Sequence, residues 1–246
     1  MNGLDLFSGI GGMAKALGGY VSPLVYCEND RYAQAVLLSR MADGWLPRGP
    51  IWDDIASLSG AMLPGSIDII YGGFPCQGIS VAGHGRGLDD ERSGLYWQLH
   101  RLVKEINPTF VFLENVPAIR TRGLKDVVGS LTELGYDCRW TVVQALEVGA
   151  HHRRARWFLL AAHPDGKALR IKPGRGVWEG QRPTAALDTP NGNKGIAAKP
   201  SSGTFEPWVS RAGDGLPFAV DRDRCLGNAV VPQQARLAFE RLMGAV

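Results

Sequence analysis

Cys76 and Glu114 are the two side chains whose type and placement suit them to covalent and acid–base chemistry. Cys76 lies in Gly72-Gly73-Phe74-Pro75-Cys76-Gln77-Gly78-Ile79-Ser80, directly after the apolar run Ile67-Asp68-Ile69-Ile70-Tyr71. That run predicts a buried strand entering a tight turn at the glycine pair. A thiol on a rigid Pro-Cys peptide just past a strand's carboxyl end stands where open α/β sheets bind ligands, which makes it a candidate nucleophile. An isolated cysteine is more often buried and inert, but the following segment favours chemistry. Gly78 to Gly94 carries five glycines and the charged or titratable residues His84, Arg86, Asp89, Asp90, Glu91 and Arg92. It is too polar for a core element and has the length of a functional loop or lid.

Glu114 follows the continuous apolar run Thr109-Phe110-Val111-Phe112-Leu113, which predicts a strand buried on both faces. A carboxylate at its end is either paired structurally or kept for chemistry with a raised pKa, and the residues alone leave both readings open. Further on, Gly149-Ala150-His151-His152-Arg153-Arg154-Ala155-Arg156 places two histidines and three arginines just before another strand. Neighbouring residues on a strand point to opposite faces and no further ligands lie nearby, so no metal site is indicated. On its own the block reads as a solvated basic face.

The elements that position these groups alternate strand and helix. Gly3-Leu4-Asp5-Leu6-Phe7-Ser8-Gly9-Ile10-Gly11-Gly12-Met13-Ala14 reads as a strand, a glycine turn and a helix start. Gly9-x-Gly11-x-x-Ala14 with Glu28 beyond it fits either a nucleotide-like cofactor site or a merely tight strand–helix turn. Val21 to Glu28 is the second expected strand, Asp30 to Arg40 an amphipathic helix, and Ile51 the centre of a weak strand before Asp54-Ile55. Asp54 suits a helix cap as well as a ligand contact. A helix capped by Ser93 runs to about Ile106, and Asn107-Pro108 stops it. Lys125 to Leu134 is an expected helix, Cys138 to Val143 a strand, and Gln233 to Met243 a closing helix. The alternation predicts a parallel α/β sheet.

A length of 246 residues is enough for one main domain with a small insertion, and the net charge of +3 permits nucleic-acid binding without demanding it. The four cysteines, Cys27, Cys76, Cys138 and Cys225, are widely spaced with no CxxC pair, so neither zinc nor a disulfide framework is expected. No apolar run is long enough to span a membrane, and Met1 to Leu6 has no signal-peptide plan. The expectation is a cytoplasmic protein with no membrane and no metal.

Several of these motifs, in order, resemble the cytosine-C5 DNA methyltransferases. Asp5 to Gly12 is similar to the family's opening cofactor motif, Pro75-Cys76-Gln77 to its nucleophile motif and Glu114-Asn115-Val116 to its acid motif. Arg154 and Arg156 match the arginines of its Gln-x-Arg-x-Arg motif, with His152 where the family usually has glutamine. Gly227-Asn228-Ala229-Val230-Val231-Pro232 resembles the final motif, whose helix packs beside the first one. The resemblance implies a Rossmann-like S-adenosylmethionine-dependent fold, with residues 1–162 as the catalytic and cofactor-binding core. Residues 163–210 would be a short irregular target-recognition region, and 211–246 would pack back on the core. It implies that Phe7, Gly9, Gly11, Glu28, Asp54, Ile55, Pro75, Leu95 and Asn228 bind S-adenosylmethionine. Glu28 would take the ribose and Asp54-Ile55 the adenine.

By the same resemblance Cys76, Glu114, Arg156 and Arg154 are catalytic. Gln77, Ser80, Arg86, Arg92 and Arg154 would contact double-stranded DNA, on which the chain acts as a monomer. The cytosine would be flipped out of the duplex, attacked at C6 by Cys76 and methylated at C5. Three rivals remain. A nicotinamide-dependent oxidoreductase would use the glycine motif equally well but has no use for a loop-borne Pro-Cys-Gln. A transfer-RNA methyltransferase of related architecture carries a Cys-Phe-Thr that this sequence lacks. A catalytically silent DNA-binding homologue is opposed by the intact Cys76, Glu114 and Arg156.

Overall fold

The computed structural model describes residues 1–75, 94–164, 227 and 229–244. Cys76, Gln77, Ser80, Arg86, Arg92, Asn228 and nearly all of the expected recognition region lie outside the described residues. The chain begins with strand β1 (Asn2–Leu6), helix α1 (Gly12–Ala16), β2 (Ser22–Cys27), α2 (Arg31–Ala42) and the short β3 (Ile51–Trp52). It continues with β4 (Ile69–Gly73), α3 (Gly94–Ile106), β5 (Phe110–Asn115), α4 (Ile119–Arg122) and α5 (Leu124–Glu133). The last elements are β6 (Asp137–Gln144), β7 (Ala155–Ala162) and α6 (Pro232–Met243).

The strands form one seven-stranded sheet in the order β3-β2-β1-β4-β5-β7-β6. β1 pairs in parallel with β2 and β4, β4 with β5, and β7 runs antiparallel between β5 and β6. The expected parallel α/β sheet is therefore present, with one reversed strand. Between β1 and β4 the order of strands changes direction, and such a switch point opens a crevice at the strands' carboxyl ends.

The central strands are apolar without alternation because both faces are covered. Leu4, Leu6, Ile70, Val111, Leu113, Trp157 and Leu159 pack with Tyr96, Leu99, Leu102 and Val103 of α3 and Val127 and Leu131 of α5. Their neighbours along the strands, Ile69, Tyr71, Phe110, Phe112, Phe158 and Leu160, face the other way. There they meet Met13 and Ala14 of α1, Leu37 and Met41 of α2, and Ala235, Ala238 and Phe239 of α6.

Two elements differ from the sequence expectation. β4 continues through both glycines, because β1 and β4 converge there: a Cβ on Gly72 would lie 1.9 Å from the Leu6 carbonyl oxygen. The helix expected over Lys125 to Leu134 starts at Leu124 and is preceded by the separate turn α4, which the sequence did not signal. α2, capped by Asp30 accepting from the Ala33 amide at 2.9 Å, buries only Ala33, Leu37 and Met41 and leaves Leu38 exposed. Asn107 ends α3 at φ 48°, a left-handed conformation that asparagine tolerates.

Candidate active site at the carboxyl edge of the sheet

The glycine turn after β1 is held in an unusual backbone shape. Phe7, Gly9 and Gly11 have φ of 54°, 54° and 83°. Left-handed backbone is ordinary for glycine but costs energy for a phenylalanine, and such strain concentrates where a ligand must be met. The surroundings over-determine the shape. The Ser8 amide donates to the Cys27 carbonyl at 3.0 Å and the Gly11 amide to the Ser8 carbonyl at 2.8 Å. Glu28, at the end of β2, accepts from the Gly9 amide at 2.7 Å and from the Asp30 amide at 2.8 Å. Glu28 thus braces the turn, and each of its oxygens keeps a lone pair for a hydroxyl. On the far side, a Cβ on Gly12 would lie 2.9 Å from Val230 Cγ1 and 3.0 Å from the Val230 carbonyl oxygen. The segment leading into α6 therefore closes against this turn.

Asp54 is exposed after β3, and its Oδ1 accepts from the Ala56 amide at 2.9 Å. No helix starts there, so Asp54 closes a turn instead of capping a helix; a ligand contact is compatible with this, since the second carboxylate oxygen is left over. Ile55 is buried at 5% exposure in the core beneath α3. Pro75 is exposed just beyond β4, and Leu95 is half-buried at the start of α3. Phe7, Glu28, Asp54 and Pro75 thus all stand at the carboxyl ends of β1 to β4, on one edge of the sheet.

A buried carboxylate stands on the same edge. Glu114 is opposite Gly73 in the parallel β4–β5 ladder, and its Oε2 occupies the space a Gly73 side chain would need, 2.6 Å from a Cβ placed there. Its Oε1 accepts from Arg156 Nε at 2.7 Å. Burial pushes the Glu114 carboxyl up to about 7, while Arg156 and Arg154 pull it down. An ion pair this short would by itself hold a carboxylate well below its ordinary value; at 8% exposure, loss of hydration outweighs it. A carboxyl titrating near 7 can donate or accept a proton at neutral pH.

Arg154 is half-buried beside this pair, with Nε and Nη2 inaccessible and without a hydrogen-bond partner among the described residues. Burial and the neighbouring Arg156 lower its pKa, against the opposing effect of Glu114. A guanidinium with unused donors suits an anion or a carbonyl oxygen. His151, His152 and Arg153 are exposed on the adjoining loop.

Two positioning residues escaped sequence reasoning. Asn115 is buried, and its Nδ2 donates to the Phe74 carbonyl at 3.0 Å, anchoring the chain two residues before Cys76. Gln234 on α6 is fully buried and donates to the carbonyls of Val143 and Arg154, latching the last helix onto the mouth of the β6–β7 pair. The signals were present, an Asn after Glu114 and a Gln among alanines and leucines, but only the fold shows that both point inward. Cys27 and Cys138 are free thiols, pushed up by burial to about 12 and about 11, and so are poor nucleophiles. Among the described residues no group of three or more His, Cys, Asp or Glu is placed to hold a metal. No helix of the described residues is long and apolar enough to cross a membrane.

A family model for C-5 cytosine-specific DNA methylase matches residues 1–191. The chain is similar to the Type II methyltransferase M.CviJI of Paramecium bursaria Chlorella virus IL3A, with 34% identity over 190 residues. That match covers 75% of this chain and 50% of the relative. M.HhaI of Haemophilus parahaemolyticus is 34% identical over 167 residues, covering 66% and 49%. The chain spans about half the length of these curated relatives. Among solved structures, a putative DNA modification methyltransferase from an Escherichia coli prophage superposes with a TM-score of 0.55 at 29% identity, covering 66% of this chain and 47% of that one. A methyltransferase of Entamoeba histolytica shares the fold at a TM-score of 0.54, 18% identity, and coverage of 66% and 52%.

Proposed function

This chain belongs to the C-5 cytosine-specific DNA methylase family, and we propose that it transfers a methyl group from S-adenosylmethionine to C5 of a flipped-out cytosine in double-stranded DNA. The observation that carries the reading is the Glu114–Arg156 pair, with Glu114 titrating near 7, one strand away from the strand that leads to Cys76.

The residues at the sheet edge fit the cofactor. The strained Phe7 and the left-handed Gly9 and Gly11 form a turn that side chains would obstruct, Glu28 offers carboxylate lone pairs to a ribose, and Asp54 keeps one oxygen for an amino group. Ile55, Pro75 and Leu95 would line this pocket, and Asn228 would complete it. S-adenosylmethionine supplies an electrophilic sulfonium methyl.

Cys76, as thiolate, adds to C6 of the cytosine, which breaks the C5–C6 double bond and makes C5 an enamine carbon able to take the methyl. Protonated Glu114 donates to N3 as charge builds there and accepts from the exocyclic amine, and Arg156 meets the charge at O2. Arg154 contacts a phosphate or braces Glu114. A base, water held in the loop, removes the C5 proton, and the C6–S bond breaks to restore the Cys76 thiolate. Gln77, Ser80, Arg86 and Arg92 contact the DNA and hold the target out of the stack. Residues 163–210 read the target site, 211–246 close the pocket, and the chain works as a cytoplasmic monomer.

The test is mass spectrometry of nucleosides from mixed-sequence DNA incubated with the chain and methyl-labelled S-adenosylmethionine. Labelled 5-methylcytosine that disappears in Cys76→Ala is the expected result. Label in neither DNA nor transfer RNA, with cofactor bound, would instead support a silent binder.

A further inference from the structure

We propose that Arg101 is a positioning residue for the adenine end of the cofactor pocket, acting through the turn that carries Asp54 and Ile55. The inference rests on the proposed cofactor site at the carboxyl edge of the sheet.

β3 is only two residues long and lies at the sheet's edge, so its ladder gives little hold on the turn beyond it. That turn is organised locally. The Asp54 carbonyl accepts from the amides of Ser57 and Leu58 at 3.1 and 3.2 Å, and Asp54 Oδ1 accepts from Ala56. These bonds shape the turn but do not fix where it sits on the molecule.

Arg101, in the middle of α3, supplies that link. Its Nη2 donates to the carbonyls of Ile55 at 3.0 Å and Leu58 at 2.8 Å. Its remaining donors are directed within the helix, Nε to Gln98 Oε1 at 2.7 Å and Nη1 to Glu105 Oε1 at 2.6 Å. Glu105 in turn accepts from the Gly60 amide through Oε2 at 3.0 Å. The planar fork is therefore set by two neighbours on its own helix and grips the turn at two carbonyls, while Glu105 grips its far end. Ile55 and Leu58 are buried beneath α3, so the clamp and the apolar packing act on the same residues. Asp54, the residue just before the gripped carbonyl of Ile55, is thereby held from the helical layer as well as from the sheet, where the Trp52 carbonyl accepts from the Glu28 amide and Trp52 Nε1 donates to Ser57 Oγ. An arginine is needed because a lysine ammonium is a compact point donor without the fork that orients two bonds.

Calorimetry and kinetics on Arg101→Gln, Arg101→Lys and Glu105→Gln test this. The ligands are S-adenosylhomocysteine and its N6-methyladenine analogue, since an amino-group contact by Asp54 discriminates against the added methyl. Expected for Arg101→Gln are an affinity for S-adenosylhomocysteine about tenfold weaker and a smaller preference over the analogue. KM for S-adenosylmethionine should rise with kcat at saturation largely kept. Arg101→Lys should recover part of the loss, and Glu105→Gln should shift both readouts in the same direction by less. Unaltered affinity and discrimination in folded variants would overturn the proposal. So would equal losses for both ligands together with lost kcat, which mark general structural damage. If Arg101→Gln does not fold, the other two variants decide by the same readouts. A wild-type chain that binds neither ligand would overturn the cofactor reading itself and this inference with it.

Discussion

Replacing Glu114 by Gln separates what the buried carboxyl does for the reaction from what it does to the fold. Burial raises this carboxyl from an ordinary 4.5 to about 7 despite two nearby arginines. The folded chain therefore holds the proton more tightly than the unfolded one. The stability associated with the neutral carboxyl is complete below about pH 4.5 and is lost as pH rises through 7. The two values differ by about 2.5 pH units, and at about 1.4 kcal/mol for each, ionisation costs the fold about 3 kcal/mol by pH 8. The side chain is only 10% exposed, so solvent screening reduces this little. Glutamine keeps the shape and cannot ionise. Glu114→Gln should therefore flatten the pH–stability profile between pH 5 and 8 and be more stable than wild type at pH 8 by roughly 1–3 kcal/mol. Methyl transfer should fall by about 10²–10⁴, the usual worth of a positioned acid. Urea unfolding at the two pH values, with the same m-value for both proteins, measures the first effect, and labelled-methyl incorporation the second. In the wild type, kcat/KM should decline on the alkaline side of about 7 as the acid form is lost. Equal loss of stability with pH in both proteins would refute the reasoning, as would a variant less stable at pH 8. Either would mean that the Arg156 pair outweighs the cost of burial.

Other sites give sharper structural tests. Gly72→Ala should destabilise by roughly 3 kcal/mol or more and broaden thermal unfolding, because its Cβ would meet backbone, the Leu6 carbonyl, which cannot move aside. Asn115→Ala should leave the Phe74 carbonyl unpaired and cost about 1–3 kcal/mol in urea unfolding. It should also lower kcat more than cofactor affinity, since it loosens the peptide leading to Cys76. Gln234→Ala should release α6 from β6 and β7, with a loss of about 1–3 kcal/mol and faster hydrogen exchange confined to α6, β6 and the start of β7.

The sequence by itself determined the layer plan and singled out the candidate positions for chemistry. The runs Ile67–Tyr71 and Thr109–Leu113 read as strands covered on both faces, and the structure has strands at Ile69–Gly73 and Phe110–Asn115, the second carrying Glu114 near its carboxyl end. The glycine turn, Glu28 and the arginines around the start of β7 were legible for a local reason: their spacing is fixed by the chain. Tertiary structure decided what crosses between distant segments. The reversal of β7 places Arg156 against Glu114, the convergence of β1 and β4 makes Gly72 obligatory, and the inward Asn115 and Gln234 bind carbonyls 41 and 80 residues away in the chain. The raised pKa of Glu114 belongs to this second class. A carboxylate beside two arginines would be expected to titrate low. It titrates near 7 because the strands on either side of it, β4 and β7, and the core they enclose remove the water that would otherwise favour its charge.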